Sequence, residues 1–335
     1  MPYLPTTSFS PERRSLLAAA LAASSWAASP SAFAQNDSWP ARPIKLVVNF
    51  PPGSSPDVLA RAISLPLQQA LGQPVVVENR AGASGMIGAE LVAKAPADGY
   101  TLLMTAGSTI TTNPFIYPKM PYDTAKDLVP VAAAARIVLF LEVRPNLPVK
   151  DVKEFLAYLK AHPGKLSYGS AGNATGLHLA GELLKSEAGV FAVHVPYRGA
   201  SPALQDLLAG QIDFYFDPGI GLGQVRAGKL KMLAVASAKR VAAFPDVPTL
   251  AEAGLKGFDA GQTHGVYAPA GTPPAVVEKL NREINRALDL PAVRSQIETL
   301  GAEPTPMTPS QFAAVMADDA RRYGAIIKER RIHAD

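Results

Sequence analysis

Two turns rich in small residues carry the chemistry of this chain. One reads Phe50-Pro-Pro-Gly-Ser-Ser-Pro-Asp57, the other Tyr168-Gly-Ser-Ala-Gly-Asn-Ala-Thr-Gly-Leu-His178. Each follows a short apolar run and precedes a segment of helical period. Such a turn exposes backbone N–H groups that lack intrahelical partners, at the positive end of a helix dipole. That is a site for carboxylate or phosphate. The candidate contacts are Gly53, Ser54 and Ser55 in the first turn, and Ser170, Ala171, Gly172, Asn173 and Thr175 in the second. Asp57 has two readings. It favours the helix dipole, with Ser55 and Pro56 as cap and first-turn residues, or it accepts from a ligand hydroxyl or ammonium. His178 falls in a first helical turn, where the dipole opposes its protonation; it is expected to be neutral and to act behind the ligand. Ser108 and Thr109, with Gly107, follow the end of a third strand, where open α/β sheets place ligands. Arg198 and Asp217 each follow or end a strand; each faces the cleft, or else the surface and the next turn. Neither turn contains Lys or Arg. Backbone N–H groups and hydroxyls, rather than a salt bridge, are therefore expected to hold the anion, with Arg198 the one basic residue placed to contradict this.

The elements that position these turns alternate. Residues 44–50 read as a strand and 58–71 as a helix, with Pro66 expected to kink it or end its first half. Residues 75–78 form a second strand, 86–95 a second helix and 100–105 a third strand after the Asp98-Gly99 turn. This βαβαβ order predicts a parallel sheet covered by helices. A second set begins near residue 150: helices over 152–160, 177–185 and 202–208, with strands over 166–168, 191–197, 212–216 and 230–236. Residues 131–143 are long for one strand and are expected to run from one lobe into the other, with 257–270 bringing the chain back. Three helices close the chain. Thr272 is expected to cap the first, and Thr308-Pro309-Ser310-Gln311 is a capping box for the third. The expected domains are residues 36–139 plus 265–335 as one lobe and 140–264 as the other, two sequential domains split near 150 being the alternative. Ligand is expected to draw the two turns together by hinge motion.

Enzyme motifs fail on spacing. Gly169-Ser170-Ala171-Gly172 resembles a nucleophile elbow, but Tyr168 stands where glycine is required. Gly219-Ile-Gly-Leu-Gly223 places its third glycine one residue early for a dinucleotide loop. His162, His178, His194, His264 and His333 show no short metal-binding spacing, so no metal or cofactor is expected. A serine hydrolase using Ser170, His178 or His194, and Asp213 or Asp217 is the enzyme alternative.

Composition narrows the setting. The 335 residues contain no cysteine, which removes thiol catalysis, cysteine-based metal sites, disulfides and a lipid-anchored cysteine. Arg13 and Arg14, the apolar run from Leu16 and the small-residue site Ala32-Phe33-Ala34 form an export signal over residues 1–34, too short for a lasting membrane span. Arg13-Arg14-Ser15-Leu16-Leu17 also resembles a degenerate twin-arginine signal, although Glu12 and Leu16 favour the Sec route. Removing these residues takes one net positive charge from the chain's +4. The rest is spread without a basic run, so nucleic acid is not an expected partner.

Seven motifs, in order, resemble the Bug family, the periplasmic solute-binding proteins of tripartite tricarboxylate transporters. They are Phe50-Pro-Pro-Gly…Asp57, Val77-Glu-Asn-Arg-Ala-Gly-Ala-Ser-Gly85, Ala97-Asp-Gly-Tyr-Thr-Leu102, Tyr168-Gly-Ser-Ala-Gly…His178-Leu179, Val195-Pro-Tyr-Arg-Gly-Ala200, Phe244-Pro-Asp-Val-Pro-Thr-Leu250 and Ala268-Pro-Ala-Gly-Thr-Pro-Pro274. The resemblance implies an α/β Venus flytrap of two Rossmann-like lobes joined by two crossovers. It further implies a soluble periplasmic monomer that closes over a small carboxylate and delivers it to integral membrane transporter subunits. A periplasmic sensor for a membrane signalling partner needs the same closure and is the alternative. Two positions depart from the family pattern. Ser54 stands where a second glycine is usual, and Arg198 where lysine is common.

Overall fold

The structure is a computed structural model that describes Tyr3 and residues 39–333. Apart from Tyr3, the expected export segment lies outside the described residues. The chain divides after Ser38, and both of its sheets lie in the unit that begins at Trp39.

Apolar runs with helical spacing between them build the first sheet. Strands β1 (Ile44–Val48), β2 (Val75–Asn79) and β3 (Thr101–Thr105) alternate with helices α1 (Ser55–Leu71) and α2 (Met86–Ala93). β1 lies between β2 and β3 and is parallel to both. Helix α1 buries Leu59, Ala62, Ile63 and Leu67, each large apolar side chain contributing about 1.5–3 kcal/mol on leaving water. Pro66 lies inside α1 without ending it, which removes one of its two expected effects. Packing of this apolar stripe outweighs the lost backbone bond. Short helices α3 (Gly107–Thr111) and α4 (Asn113–Ile116) follow β3.

The long run at 131–143 is two strands, not one. β4 (Leu128–Ile137) joins the first sheet and β5 (Phe140–Val143) the second, with Val138 and Leu139 between them. The second sheet has the order β7-β6-β8-β5-β9, where β6 is Ser167–Ser170, β7 Val193–Pro196, β8 Phe214–Asp217 and β9 Lys231–Val235. β6 is parallel to β7 and β8, while β5 is antiparallel to β8 and β9. Helices α5 (Val152–Ala161), α6 (Gly176–Ala188), α7 (Ala200–Leu208) and α8 (Leu222–Arg226) belong to this half.

β10 (Gln262–Pro269) carries the chain back between β3 and β4, antiparallel to both, so the first sheet is mixed rather than wholly parallel. β11 (Glu303–Pro304) completes it at the edge. Helices α9 (Pro274–Leu288), α10 (Pro291–Glu298) and α11 (Pro309–Arg330) close the chain. α9 and α10 pack on α1, and α9 and α11 on β4. Thr272 does not cap α9. Its hydroxyl donates to Pro269 O, and Pro273 takes the cap position. The capping box of α11 forms with both reciprocal bonds, between Thr308 and Gln311. Near the end of α11, Tyr323, Ile327 and Ile332 join the core around the second sheet. The fold is α/β with two lobes and two crossovers between them.

Candidate ligand-binding site

The starts of α1 and α6 face one cavity. Its wall includes Ser54, Ser55 and Pro56 from the first, Thr175, Gly176 and Leu177 from the second, and Ser108 from the start of α3. The cavity measures ≈ 30 Å³, room for about one water molecule. Outward lies a wider hollow of ≈ 540 Å³, whose wall includes Ser84, Tyr117, Gly172, Asn173 and Arg198. Phe50 and Ala171 border both.

Sequence assigned the cap of α1 to Ser55, but Ser54 holds it. Ser54 has the extended backbone of a cap, and its hydroxyl donates to Pro51 O at 2.7 Å. Ser55 is the first helical residue, and its hydroxyl lies 3.1 Å from His264 Nε2. The other ring nitrogen, Nδ1, accepts from the backbone N–H of Gly107 across a long 3.4 Å. Burial pushes the His264 pKa down to about 3, so the ring is neutral. With Nδ1 accepting, the proton sits on Nε2 and is donated to Ser55 Oγ. The Ser55 hydroxyl proton is then left for another acceptor, and Ser55 lines the cavity.

Beside His264 on β10, Gln262 Oε1 accepts from the N–H of Ser108 at 3.1 Å. That bond fixes which end of the amide is which. Gln262 and His264 also line the cavity. Neither was singled out from sequence as a contact. The available signal was the i and i+2 spacing of two polar residues at the start of an extended run, which puts both on one face of a strand.

The remaining candidates divide by position. Ser54, Ser55, Ser108, Ala171 and Thr175 line the inner cavity; Gly172, Asn173 and exposed Arg198 line the outer hollow, with Ala171 shared. Thr175 caps α6 while its hydroxyl donates to Gly172 O at 2.7 Å. Gly53 is exposed and its N–H is given to Asp57 Oδ2 at 2.9 Å. Asp57 also accepts from Arg61 Nε at 3.0 Å and from Asn79 Nδ2 at 2.8 Å. Burial works to raise its pKa, but the bonds from Arg61, Gly53 and Asn79 outweigh it and hold the carboxyl below its usual range. The reading of Asp57 as a ligand acceptor therefore gives way to a brace between α1 and β2. Thr109 Oγ1 accepts from Asn49 Nδ2 at 3.2 Å. His178 Nδ1 accepts from Ala174 N–H at 3.2 Å, behind the second turn.

Ser170 is fully buried, with its hydroxyl 2.7 Å from His194 Nε2. This resembles a nucleophile and its base, but the acids offered for a triad are bound elsewhere. Asp213 accepts from Arg144 Nε and Ser167 N–H, and Asp217 Oδ2 accepts from Gly219 and Gly221 N–H. Asp217 is wholly buried, and burial raises its pKa to about 7. The Glu142 carboxyl next to it is also raised, by burial and then by Asp217. Among the described residues, no group of three or more His, Cys, Asp or Glu is placed to hold a metal ion.

Known proteins resemble this chain in sequence and fold. The profile of the tripartite tricarboxylate transporter family receptor matches residues 59–332. Protein BugT of Bordetella pertussis is 40% identical over 296 residues, 88% of this chain and 90% of BugT. A Rhodopseudomonas palustris protein solved with adipate superposes with a TM-score of 0.85 at 36% identity, over 88% of this chain and 99% of its own. MatC of the same organism, solved with bound malate, gives 0.82 at 36% identity, over 86% and 100%.

Proposed function

The chain belongs to the tripartite tricarboxylate transporter receptor family, and on that premise we propose that it is an extracytoplasmic solute-binding protein. It captures a small carboxylate between its lobes, residues 36–139 plus 265–335 on one side and 140–264 on the other. It acts as a soluble periplasmic monomer after loss of residues 1–34 and delivers the carboxylate to integral membrane transporter subunits. Among the described residues no helix is long and apolar enough to cross a membrane.

One observation carries the reading. Two helix starts and several hydroxyls converge on a cavity whose lining includes no Asp, Glu, Lys or Arg. Neutral donors of this kind hold a single negative charge without a salt bridge. Adipate and malate bound to the two Rhodopseudomonas proteins support a carboxylate as the solute. The reading is capture without turnover, since Ser170 faces His194 rather than the cavity.

A thermal-shift screen of the mature chain against small mono- and dicarboxylates tests this. A true ligand raises the melting temperature by mass action and is recovered unchanged. Failure of every carboxylate to bind, or ester turnover lost in Ser170→Ala, would falsify the reading.

A further inference from the structure

We infer that Gln262 contacts the ligand directly and that, with Ser55, it makes the inner cavity select a carboxylate on a hydrocarbon body over the same acid carrying an ammonium. The inference rests on the carboxylate reading above and adds a residue and a substrate class to it.

The first support is an unmatched donor. Gln262 is 5% exposed, and its Nε2 has no hydrogen-bond partner among the described residues. Its Oε1 is fixed by Ser108 N–H, so the unmatched end is the donating one. The amide also lies against the start of α6. A Cβ on Gly176 would stand 2.6 Å from Oε1 and 2.9 Å from Nε2. A buried donor without an acceptor is costly and is retained where something supplies the acceptor. Here it sits in the wall of the cavity, beside a helix start that needs the same partner.

The second support is the direction of the other polar groups. Ser55 receives the His264 proton and has its own hydroxyl proton to give. With the helix-start N–H groups, Gln262 and Ser55 make a head site that offers donors. A carboxylate has only acceptors and suits it. An ammonium needs acceptors, and no carboxylate lines the cavity: Asp57 is bonded to Gly53, Arg61 and Asn79, and Asp217, bonded through Oδ2 to Gly219 and Gly221, lies outside its wall. The wall also carries an apolar side, with Phe50, Ile137, Leu139 and Leu177. An ammonium buried there loses its water without replacement, whereas a methylene chain gains.

Titration calorimetry on the mature chain, with matched acids, tests this. Hexanoate is compared with norleucine, and adipate with 2-aminoadipate. The amino acid of whichever pair binds is expected to be at least tenfold weaker than its parent acid. Gln262→Leu is expected to weaken the parent acid at least tenfold and to lower the ligand-free melting temperature somewhat, because Ser108 N–H loses its acceptor. Gln262→Glu keeps the shape and makes the donor conditional on a proton. Its binding is expected to be poor at pH 8 and to recover toward pH 6, as the buried acid is protonated. A purely structural role for Gln262 predicts no such recovery. Equal affinity for the amino acid, or full affinity in Gln262→Leu, or a pH-independent Gln262→Glu, overturns the inference and leaves carboxylate capture standing. If none of the four acids binds the unmodified chain, the carboxylate reading falls and this inference with it.

Discussion

Whether a hydroxyl donates or accepts is decided by its neighbour, and at Ser55 the neighbour is His264. Ser55→Ala should weaken carboxylate binding about tenfold or more, since a hydrogen bond to a charged group is worth roughly 1.5–3 kcal/mol. His264→Phe should lose part of that affinity by freeing the hydroxyl to rotate, and should cost little more once Ser55 is Ala. Additive losses in this double-mutant cycle would show that His264 acts by another route. The same histidine affects stability with pH. Unfolded, it gains a proton near its ordinary value of 6.5; folded, burial delays this to about 3. The unfolded chain thus binds more protons between these values, so stability falls as pH drops from 6.5 toward 3. His264→Phe should flatten that slope in urea denaturation. Asp57→Ala belongs to a different class. It should destabilise by about 2 kcal/mol through loss of the Gly53–Arg61–Asn79 bonds while leaving the ranking of ligands unchanged. Sequence exposed Ser54, Ser55 and Thr175, because small polar residues before a helical period mark a helix start. It did not expose Gln262 and His264, because only the return of the chain through β10 carries them to the cleft.

Strand β8 ends in a feature that belongs to its element rather than to the ligand. Asp217 at its tip turns the chain through Gly219 and Gly221, and Glu142 on the neighbouring β5 lies beside it. Among the described residues, neither Glu142 carboxyl oxygen has a hydrogen-bond partner, nor does Asp217 Oδ1. Burial favours the protonated form of both, and Tyr215 beside them is likewise raised, by burial and then by the two acids. The sign is opposite to that of His264. Between the ordinary value of 3.8 and about 7, folded Asp217 holds a proton that the unfolded chain has released. Stability from this group therefore falls as pH rises through that window. Asp217→Asn keeps an acceptor for the two N–H groups and removes the titration. Its urea midpoint should decline less between pH 5 and 7.5 than that of the unmodified chain; an unchanged decline would place the titration elsewhere. Element by element, periodicity located the helices well, because each buries one stripe. Pro66 does not end α1, where packing overrides a local breaker, and the run at 131–143 passes from one sheet to the other as expected, through a two-residue break at Val138 and Leu139 that no change in hydrophobicity marks.

Across the molecule, specific polar contacts join the lobes. Thr112, just after α3, donates its single hydroxyl proton to Ala174 O at 2.6 Å or to Ser108 O at 2.8 Å. Tyr117 OH reaches Asn173 O at 3.1 Å and lies 3.0 Å from Ser84 Oγ. At the rim, a Cβ on Gly199, whose φ is 122°, would stand 2.5 Å from Pro51 Cγ, so the first turn and the segment between β7 and α7 touch with no room for a side chain. An inner cavity of ≈ 30 Å³ is smaller than a six-carbon acid, so entry requires the lobes to part, and the breaks at 137–140 and before Gln262 are where the chain can bend. Closure then has its own equilibrium, and a contact made only when closed tunes affinity without touching ligand. Thr112→Val removes one such bond and no cavity wall. A neutral hydrogen bond is worth about 0.5–1.5 kcal/mol, so binding should weaken roughly two- to tenfold. Small-angle scattering should give a larger radius of gyration for ligand-free Thr112→Val than for the unmodified chain, and equal radii when both are saturated. If affinity falls but the radii agree in both states, Thr112 acts on the second turn alone. If neither changes, the bond to Ala174 has no part in closure.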